Sequence, residues 1–424
     1  MAQVIVVGGG FAGSAAALAA ARVGAKVTLL ERTDLLLGAG LRAGRMNNNG
    51  KIVAAEEMKE MGGGDFFAAL ESVILHRGNI VSEVHGYTYD TRLVEPLIRQ
   101  LLREGGVEIE FEARAVDVIK ENDEIRQIIL PGGDKISGDV FLDCTGSAGG
   151  VANCMRYGKG CVMCYCYRCP TYGDRVSIAT KAGAPELVRR RPDGTPGAVG
   201  AAICLYKETL AAALREELES QGVASIPLPP EMVDYSKMKI LGPQRDRKQF
   251  EFLNLVDIGV TAKCVAIGFM PLEWLRKLPG LEKVQIEEPM GGGKYNKIGR
   301  LSMTRRDNAM KVEGLKNLFC AGEKAGPGSG IAEVIALGVL AGYNAVRRAE
   351  GKALLELPRQ LVTGDFIAFL NDKVHDGAGL ENGYHMGHGA YWERMKATGL
   401  YAADPQTIRQ RVKDAGLSKV FEKL

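Results

Sequence analysis

Three groups of residues in this 424-residue chain have the types and spacing for chemistry. The first is Gly8-Gly9-Gly10-Phe11-Ala12-Gly13, a G-x-G-x-x-G turn, with the acid Glu31 eighteen residues past its last glycine. Gly8 allows a tight turn, Gly10 lets the backbone approach a pyrophosphate, and Gly13 lets helix and strand pack closely. Free N–H groups and the dipole of the following helix would hold the pyrophosphate, and Glu31 the adenosine ribose.

The second group is Cys154, Cys161, Cys164, Cys166 and Cys169 in NCMRYGKGCVMCYCYRCP. As C-x-x-C-x-C-x-x-C-P the run approaches a ferredoxin spacing and would take an iron–sulfur cluster. The alternation of Cys164 and Cys166 with Tyr165 and Tyr167 gives the opposing reading. A strand would put those two cysteines on one face and Cys161 and Cys169 on the other, so no metal is expected. A thiol or redox role for the run stays open.

The third is Cys204 in AAICLYKETLAAAL. It reads as a thiol just ahead of a helix, whose N-terminus would favour the thiolate. The other reading is a buried strand cysteine. Cys144 and Cys320 fall in apolar strands and read as packing. His76, His85, His375, His385 and His388 form no zinc spacing, and HMGH reads as an exposed loop. Arg189-Arg190-Arg191 and Arg305-Arg306 read as solvated faces, with phosphate contact the alternative. Asn48 and Lys51 read as turn formers.

These groups need elements to hold them. Val4–Val7 is an apolar run suited to a buried parallel strand, followed by an alanine-rich helix and a second strand over Lys26–Leu30. A helix is expected over Ile52–Met61, and another in DTRLVEPLIRQLLREGG, stopped by Gly105-Gly106. Residues 107–146 read as a β-meander that closes on the strand DVFLDCTG. Cysteines, the linker RRRPDGTPGAVG and a helix near 207–221 mark an insert. The expected division is residues 1–150 for the first part of a nucleotide-binding domain, 151–270 for an inserted α/β domain, 271–356 for its second part, and 357–424 for a helical extension.

With 46% hydrophobic and 25% charged residues the composition is that of a soluble globular protein. A net charge of +3 is too mild to imply nucleic-acid or membrane binding by itself. No run is long enough to span a bilayer, and the first strand begins at once, leaving no room for a signal peptide. A cytoplasmic protein with reduced cysteines is expected.

The meander and the late unit NLFCAGEKAGPGSGIAEV favour FAD over NAD. A glycine-rich turn into a helix start can lie beside a flavin and stabilise negative charge on the reduced ring. Val116 would offer backbone to the adenine, and Thr145 and Gly146 would close the dinucleotide groove. Gly322, Glu323, Gly330, Ile331 and Ala332 would face the ribityl chain and pyrimidine edge.

The chain resembles the FAD-dependent RNA-modification flavoproteins: the glucose-inhibited division protein A family and the folate- and FAD-dependent tRNA uracil methyltransferases. The matching stretches are VIVVGGGFAGSAAALAAARVGAKVTLLE, EEMKEMGG, LRKLPGLEKVQI and VEGLKNLFCAGEKAGPGSGIAEVIALGVLAGYNAVRR. ICLYKETLAAALREELESQ is similar to the methyltransferase segment in which a functional cysteine precedes a helix. The resemblance implies a glutathione-reductase-like (Rossmann-type) FAD domain with an inserted α/β domain, and makes Cys204 the catalytic candidate. The chain departs from that pattern in three ways. No cysteine precedes Cys144, where the methyltransferases carry one near the position of GRMNNNGK. Gly322-Glu323 stands where they have GQ, and the stretch after about 374 has no matching segment. The expected function is an FAD-dependent oxidoreductase acting on a small-molecule or protein redox partner, ahead of tRNA. Folate-dependent RNA modification and an electron-transfer subunit are the alternatives, and homo-oligomerisation stays open.

Overall fold

The computed structural model describes residues 1–46, 51–78, 86–146, 176–188, 198–199, 203–233, 251–265, 272–287, 298–299, 302–328, 330–376, 384–387 and 389–424. The cysteine run 154–169, Arg189-Arg190-Arg191, Asn48, His85 and His388 lie outside the described residues.

The opening residues form β1 (Gln3–Val7), α1 (Phe11–Arg22) and β2 (Lys26–Leu30), with β1 and β2 parallel and Val4 opposite Val27. Val4, Ile5 and Val6 are fully buried, as an apolar parallel strand covered on both faces must be. The chain then makes β3 (Arg45–Met46), α2 (Lys51–Glu60), α3 (Asp65–Ser72), β4 (Ile74–Arg77) and β5 (Tyr87–Tyr89), the strands forming a small antiparallel sheet. Next comes α4 (Thr91–Glu104), capped by Asp90, which accepts from the Arg92 N–H at 2.8 Å, and then β6 (Val107–Glu110).

The expected meander is confined to β7 (Asp117–Glu121), β8 (Glu124–Ile129) and β9 (Lys135–Ser137), because β6, read as its first strand, pairs parallel with β2 in the main sheet. β10 (Val140–Asp143) follows and returns to the main sheet beside β1.

Within the insert, β11 (Ile203–Tyr206), α5 (Ala212–Gln221), β12 (Val223–Pro227), β13 (Phe252–Asp257) and β14 (Thr261–Val265) build an antiparallel sheet in the order β11-β14-β13-β12. Its core of Leu205, Leu218, Leu255 and Cys264 also takes in Leu275, Leu278, Leu281 and Val284. The Glu287 N–H donates to the Cys204 carbonyl at 2.9 Å. The packing of the insert therefore runs past residue 270 to Glu287. At its other end Ile178, Ala179, Ala182 and Ala184 belong to the main core, not to the insert.

β15 (Leu318–Cys320) completes a five-stranded parallel sheet in the order β15-β10-β1-β2-β6. The next helix, α6 (Ile331–Ala349), lies against α1 at backbone distance. A Cβ on Gly338 or Gly342 would fall 2.2 or 2.0 Å from the carbonyl oxygens of Ala12 and Ala16, so both positions need glycine. The extension adds α7 (Val362–His375), α8 (Gly389–Ala397) and α9 (Pro405–Asp414). These dock on α2. Glu57 accepts from the N–H groups of Val362 and Thr363 at 2.7 and 2.8 Å, and Glu56 pairs with Arg409 at 2.5 Å.

Candidate functional site

The carboxyl ends of β1, β10 and β15 meet at one edge of the parallel sheet, where open α/β folds bind their ligands. At this edge the glycine turn is closed on its protein side and open on the other. Gly8 has φ +103°, and a Cβ there would lie 2.5 Å from the Cys144 carbonyl oxygen; one on Gly13 would lie 1.8 Å from the Gly8 carbonyl oxygen. A Cβ on Gly10 would meet nothing within 4 Å. Gly10 is also the N-cap of α1, with no side-chain cap, so first-turn N–H groups face the open side. That cradle leaves open space beside the first-turn N–H groups.

Glu31 reaches back to the turn. It is buried, its Oε2 accepts from the Gly9 N–H at 2.8 Å, and its Oε1 accepts from the N–H and Oγ1 of Thr33 at 2.9 and 3.0 Å. Burial raises its pKa, against the opposing pull of those donors.

Thr145 is positioned by Asp143, a residue the sequence reading passed over. Its buried carboxylate accepts from the N–H and Oγ1 of Thr145 at 3.1 and 2.6 Å. The other oxygen accepts from Ser177 Oγ at 2.6 Å and the Ala179 N–H at 2.9 Å. A carboxylate closing an apolar strand in FLDCTG was the available signal. Burial pushes the Cys144 thiol up, and the Cys320 thiol up to about 12. Both cysteines are packing, as read.

The late turn joins the first one. A Cβ on Gly322, which has φ +70°, would lie 2.9 Å from the Cβ of Ala12 in α1. Glu323 is half-buried, while Ile331 and Ala332 are buried at the start of α6, whose N-cap Gly330 has no side-chain cap. Two uncapped helix starts thus meet at one sheet edge.

Four expectations change. The Val116 N–H is spent on the Ile129 carbonyl at 2.8 Å, because Val116 leads into β7, so that N–H is not offered to an adenine. Cys204 sits within β11, and α5 starts eight residues later, so the N-terminus of α5 does not act on its thiol. Arg306 is no solvated face. It is 1% exposed and donates to the carbonyls of Ala325, Asp307 and Ile367, and burial lowers its pKa to about 10. The HMGH stretch is not an exposed loop at its start, since Tyr384 and Met386 are buried against the late turn.

Cys204 is 4% exposed, the buried strand cysteine of the other reading. It stands opposite Lys263, which stands opposite Val256, so the three side chains share one face of the insert's sheet. Lys263 Nζ donates to the Ala43 carbonyl at 2.6 Å, and a Cβ on Gly44 would lie 2.3 Å from Ile258, another residue of that face. The loop bearing Ala43 starts at the glycine turn, where the Leu37 N–H donates to the Gly9 carbonyl at 2.7 Å. Cys264 faces the opposite way, into the insert's own core. Among the described residues, no cluster of three or more His, Cys, Asp or Glu side chains could hold a metal, and no helix is long and apolar enough to cross a membrane.

Comparison with known proteins agrees with this fold. The family described as FAD dependent oxidoreductase matches residues 3–153, and the family described as Glucose inhibited division protein A matches residues 270–353. The methylenetetrahydrofolate–tRNA-(uracil-5-)-methyltransferase TrmFO of Symbiobacterium thermophilum is 24% identical over 414 residues, covering 87% of this chain and 86% of the relative. The tRNA uridine 5-carboxymethylaminomethyl modification enzyme MnmG of Thermus thermophilus is 34% identical over 114 residues, which are 27% of this chain and 18% of that protein. The structure of Aquifex aeolicus GidA in its form I crystal superposes with a TM-score of 0.69 at 17% identity, covering 100% of this chain and 76% of that one.

The chain is a FAD-dependent oxidoreductase with a glutathione-reductase-like fold. Within that class it resembles the superfamily of glucose-inhibited division protein A and TrmFO along most of its length.

Proposed function

We propose that this flavoenzyme modifies a uridine of tRNA, with Cys204 as the thiol that engages the base. The observation that carries the reading is the shared face of Cys204 and Lys263, turned toward the loop that begins at the glycine turn. Similarity to TrmFO over 87% of the chain supports tRNA as the substrate class. This reverses the order expected from sequence, in which a small-molecule or protein redox partner came first.

When bound, FAD supplies the hydride and electron chemistry. Gly10 and the α1 N-terminus bind its pyrophosphate, Glu31 its ribose, and Thr145, set by Asp143, closes the groove with Gly146. The carbonyl of Val116 takes the adenine side. Gly322, Glu323, Gly330, Ile331 and Ala332 face the ribityl chain and pyrimidine edge. A thiolate at Cys204 is the nucleophile, a role an alcohol or thioether fills poorly at neutral pH.

The test is mass analysis of nucleosides from unmodified tRNA incubated anaerobically with the reduced holoenzyme and a panel of one-carbon donors. A mass change confined to uridine is expected. Turnover with a soluble acceptor, with every tRNA nucleoside unchanged, would return the enzyme to small-molecule or protein redox chemistry.

A further inference from the structure

The segment Tyr384–Gly387 lies on the late glycine-rich turn. The Tyr384 N–H donates to the Pro327 carbonyl at 2.8 Å, and its ring meets Phe369 edge-on at 4.9 Å. Two residues on, the Met386 N–H donates to Oε1 of Glu333 at 2.9 Å, and His385 Nδ1 lies 4.0 Å from that same oxygen. Glu333 is fully buried in the first turn of α6. Its carboxylate folds back over the start of the helix, where a Cβ on Gly330 would lie 1.9 Å from Oε2 and 2.6 Å from Oε1.

A carboxylate in this position offsets the positive end of a 19-residue helix. A bare helix start beside a flavin would favour the negative charge that reduction places on the ring. Here that field meets a fixed negative group, held by a backbone donor from the far end of the chain and shielded from water. In such a setting charge acts with little screening.

We propose that Glu333 is the residue that sets the charge felt at the flavin's pyrimidine edge: its buried carboxylate, held by the Met386 N–H, makes bound FAD harder to reduce. The inference rests on the reading that places the flavin on the Gly322 and Gly330 turns. The C-terminal extension thereby acquires a role at the flavin, since it supplies the donor that fixes the carboxylate.

The experiment compares holoenzymes by FAD midpoint potential and by sulfite titration, which reads stabilisation of negative charge on the ring as bleaching of the flavin band. Both are run in the same buffer at one pH. Glu333→Gln keeps an acceptor for Met386 and drops the charge. It is expected to move the potential to a more positive value and to tighten sulfite binding. Glu333→Asp keeps the charge and should stay nearer the wild type. Equal potentials and equal sulfite affinities in the wild type and E333Q, both with stoichiometric FAD, would overturn the inference. Should E333Q fail to hold FAD, the wild-type holoenzyme decides: weak bleaching by sulfite supports the inference and tight bleaching overturns it. Wild-type protein that takes up no FAD on reconstitution would instead remove the reading on which the inference rests.

Discussion

Cys204 and Lys263 stand directly opposite each other on neighbouring antiparallel strands, and Lys263 spans from the insert to the Ala43 carbonyl of the FAD unit. Directly opposed side chains share a face, so the lysine's reach fixes the direction of the thiol. Replacing Cys204 with alanine should therefore leave FAD content and flavin reduction by an external donor unchanged. Modification of tRNA should fall by about 10³-fold or more, the scale of losing a nucleophile. Anaerobic reduction spectra and nucleoside mass analysis on one preparation separate the two effects. Product formation by C204A at the wild-type rate would remove Cys204 from the chemistry.

The glycine turn gives a contrast between two substitutions three residues apart. Gly10 has φ −62° and open space at its Cβ, so Gly10→Val should fold with stability within about 0.5 kcal/mol of the wild type. It should purify colourless, because the new side chain fills the pyrophosphate cradle. Gly13→Ala puts a Cβ against the Gly8 carbonyl oxygen, a backbone atom, and should cost roughly 1–3 kcal/mol in the apoprotein. Urea unfolding and released-FAD assays read both arms. A yellow, fully loaded G10V would show that the turn does not hold the dinucleotide.

Glu57 carries a pH dependence whose sign can be worked out. Burial pushes its carboxyl up to about 7, against the donors at the start of α7 that favour the charged form. The folded state keeps this proton up to about pH 7, whereas the unfolded chain releases it near 4.5. Between those values the folded state binds more protons, so this group's share of stability is present below about 4.5 and is lost as pH rises toward 7. The change amounts to about 3 kcal/mol at most. Glu57→Gln should flatten that fall in urea midpoints measured between pH 4.5 and 7.5. An unchanged slope in the variant would assign the dependence to other groups.

What the sequence disclosed was local. The strand, turn, helix and acid from Val4 to Glu31 lie within one βαβ unit, where apolar periodicity and glycine spacing act on near neighbours. The meander, α2 and α4 were legible for the same reason. Residues whose roles depend on distant partners were not. The direction of Cys204 follows from the register of β11 on β14, which no local pattern encodes. Arg306 is buried because α7 brings the Ile367 carbonyl to it, and Glu333 meets a donor 53 residues away. Charged residues are read as exposed by default, and these two are exceptions created by the C-terminal extension covering the late turn.

The last expectation concerns the carbon source. The resembling methyltransferases use cysteines at two separated positions to pass a methylene group from folate to uracil. This chain has no cysteine before Cys144, and the corresponding loop begins at Met46, which is 4% exposed and paired with Tyr87 in the small sheet. Cys144 cannot stand in, because it lies beneath the glycine turn, with its Cβ 3.0 Å from a Cβ placed on Gly13, and its thiol is pushed up by burial. Cys320 is fully buried and pushed up to about 12, and Cys264 faces the insert's core. Among the described cysteines this leaves Cys204 alone on the face toward the FAD unit. A thioether cannot act as nucleophile and leaving group in place of a second thiolate. Incubation of reduced holoenzyme, unmodified tRNA and methylene-labelled tetrahydrofolate under anaerobic conditions should therefore give no labelled uridine, while the flavin still accepts electrons from a nicotinamide or protein donor. Incorporation of label into uracil at a rate matching flavin oxidation would show that a second thiol reaches the base, and would make the enzyme a folate-dependent methyltransferase after all.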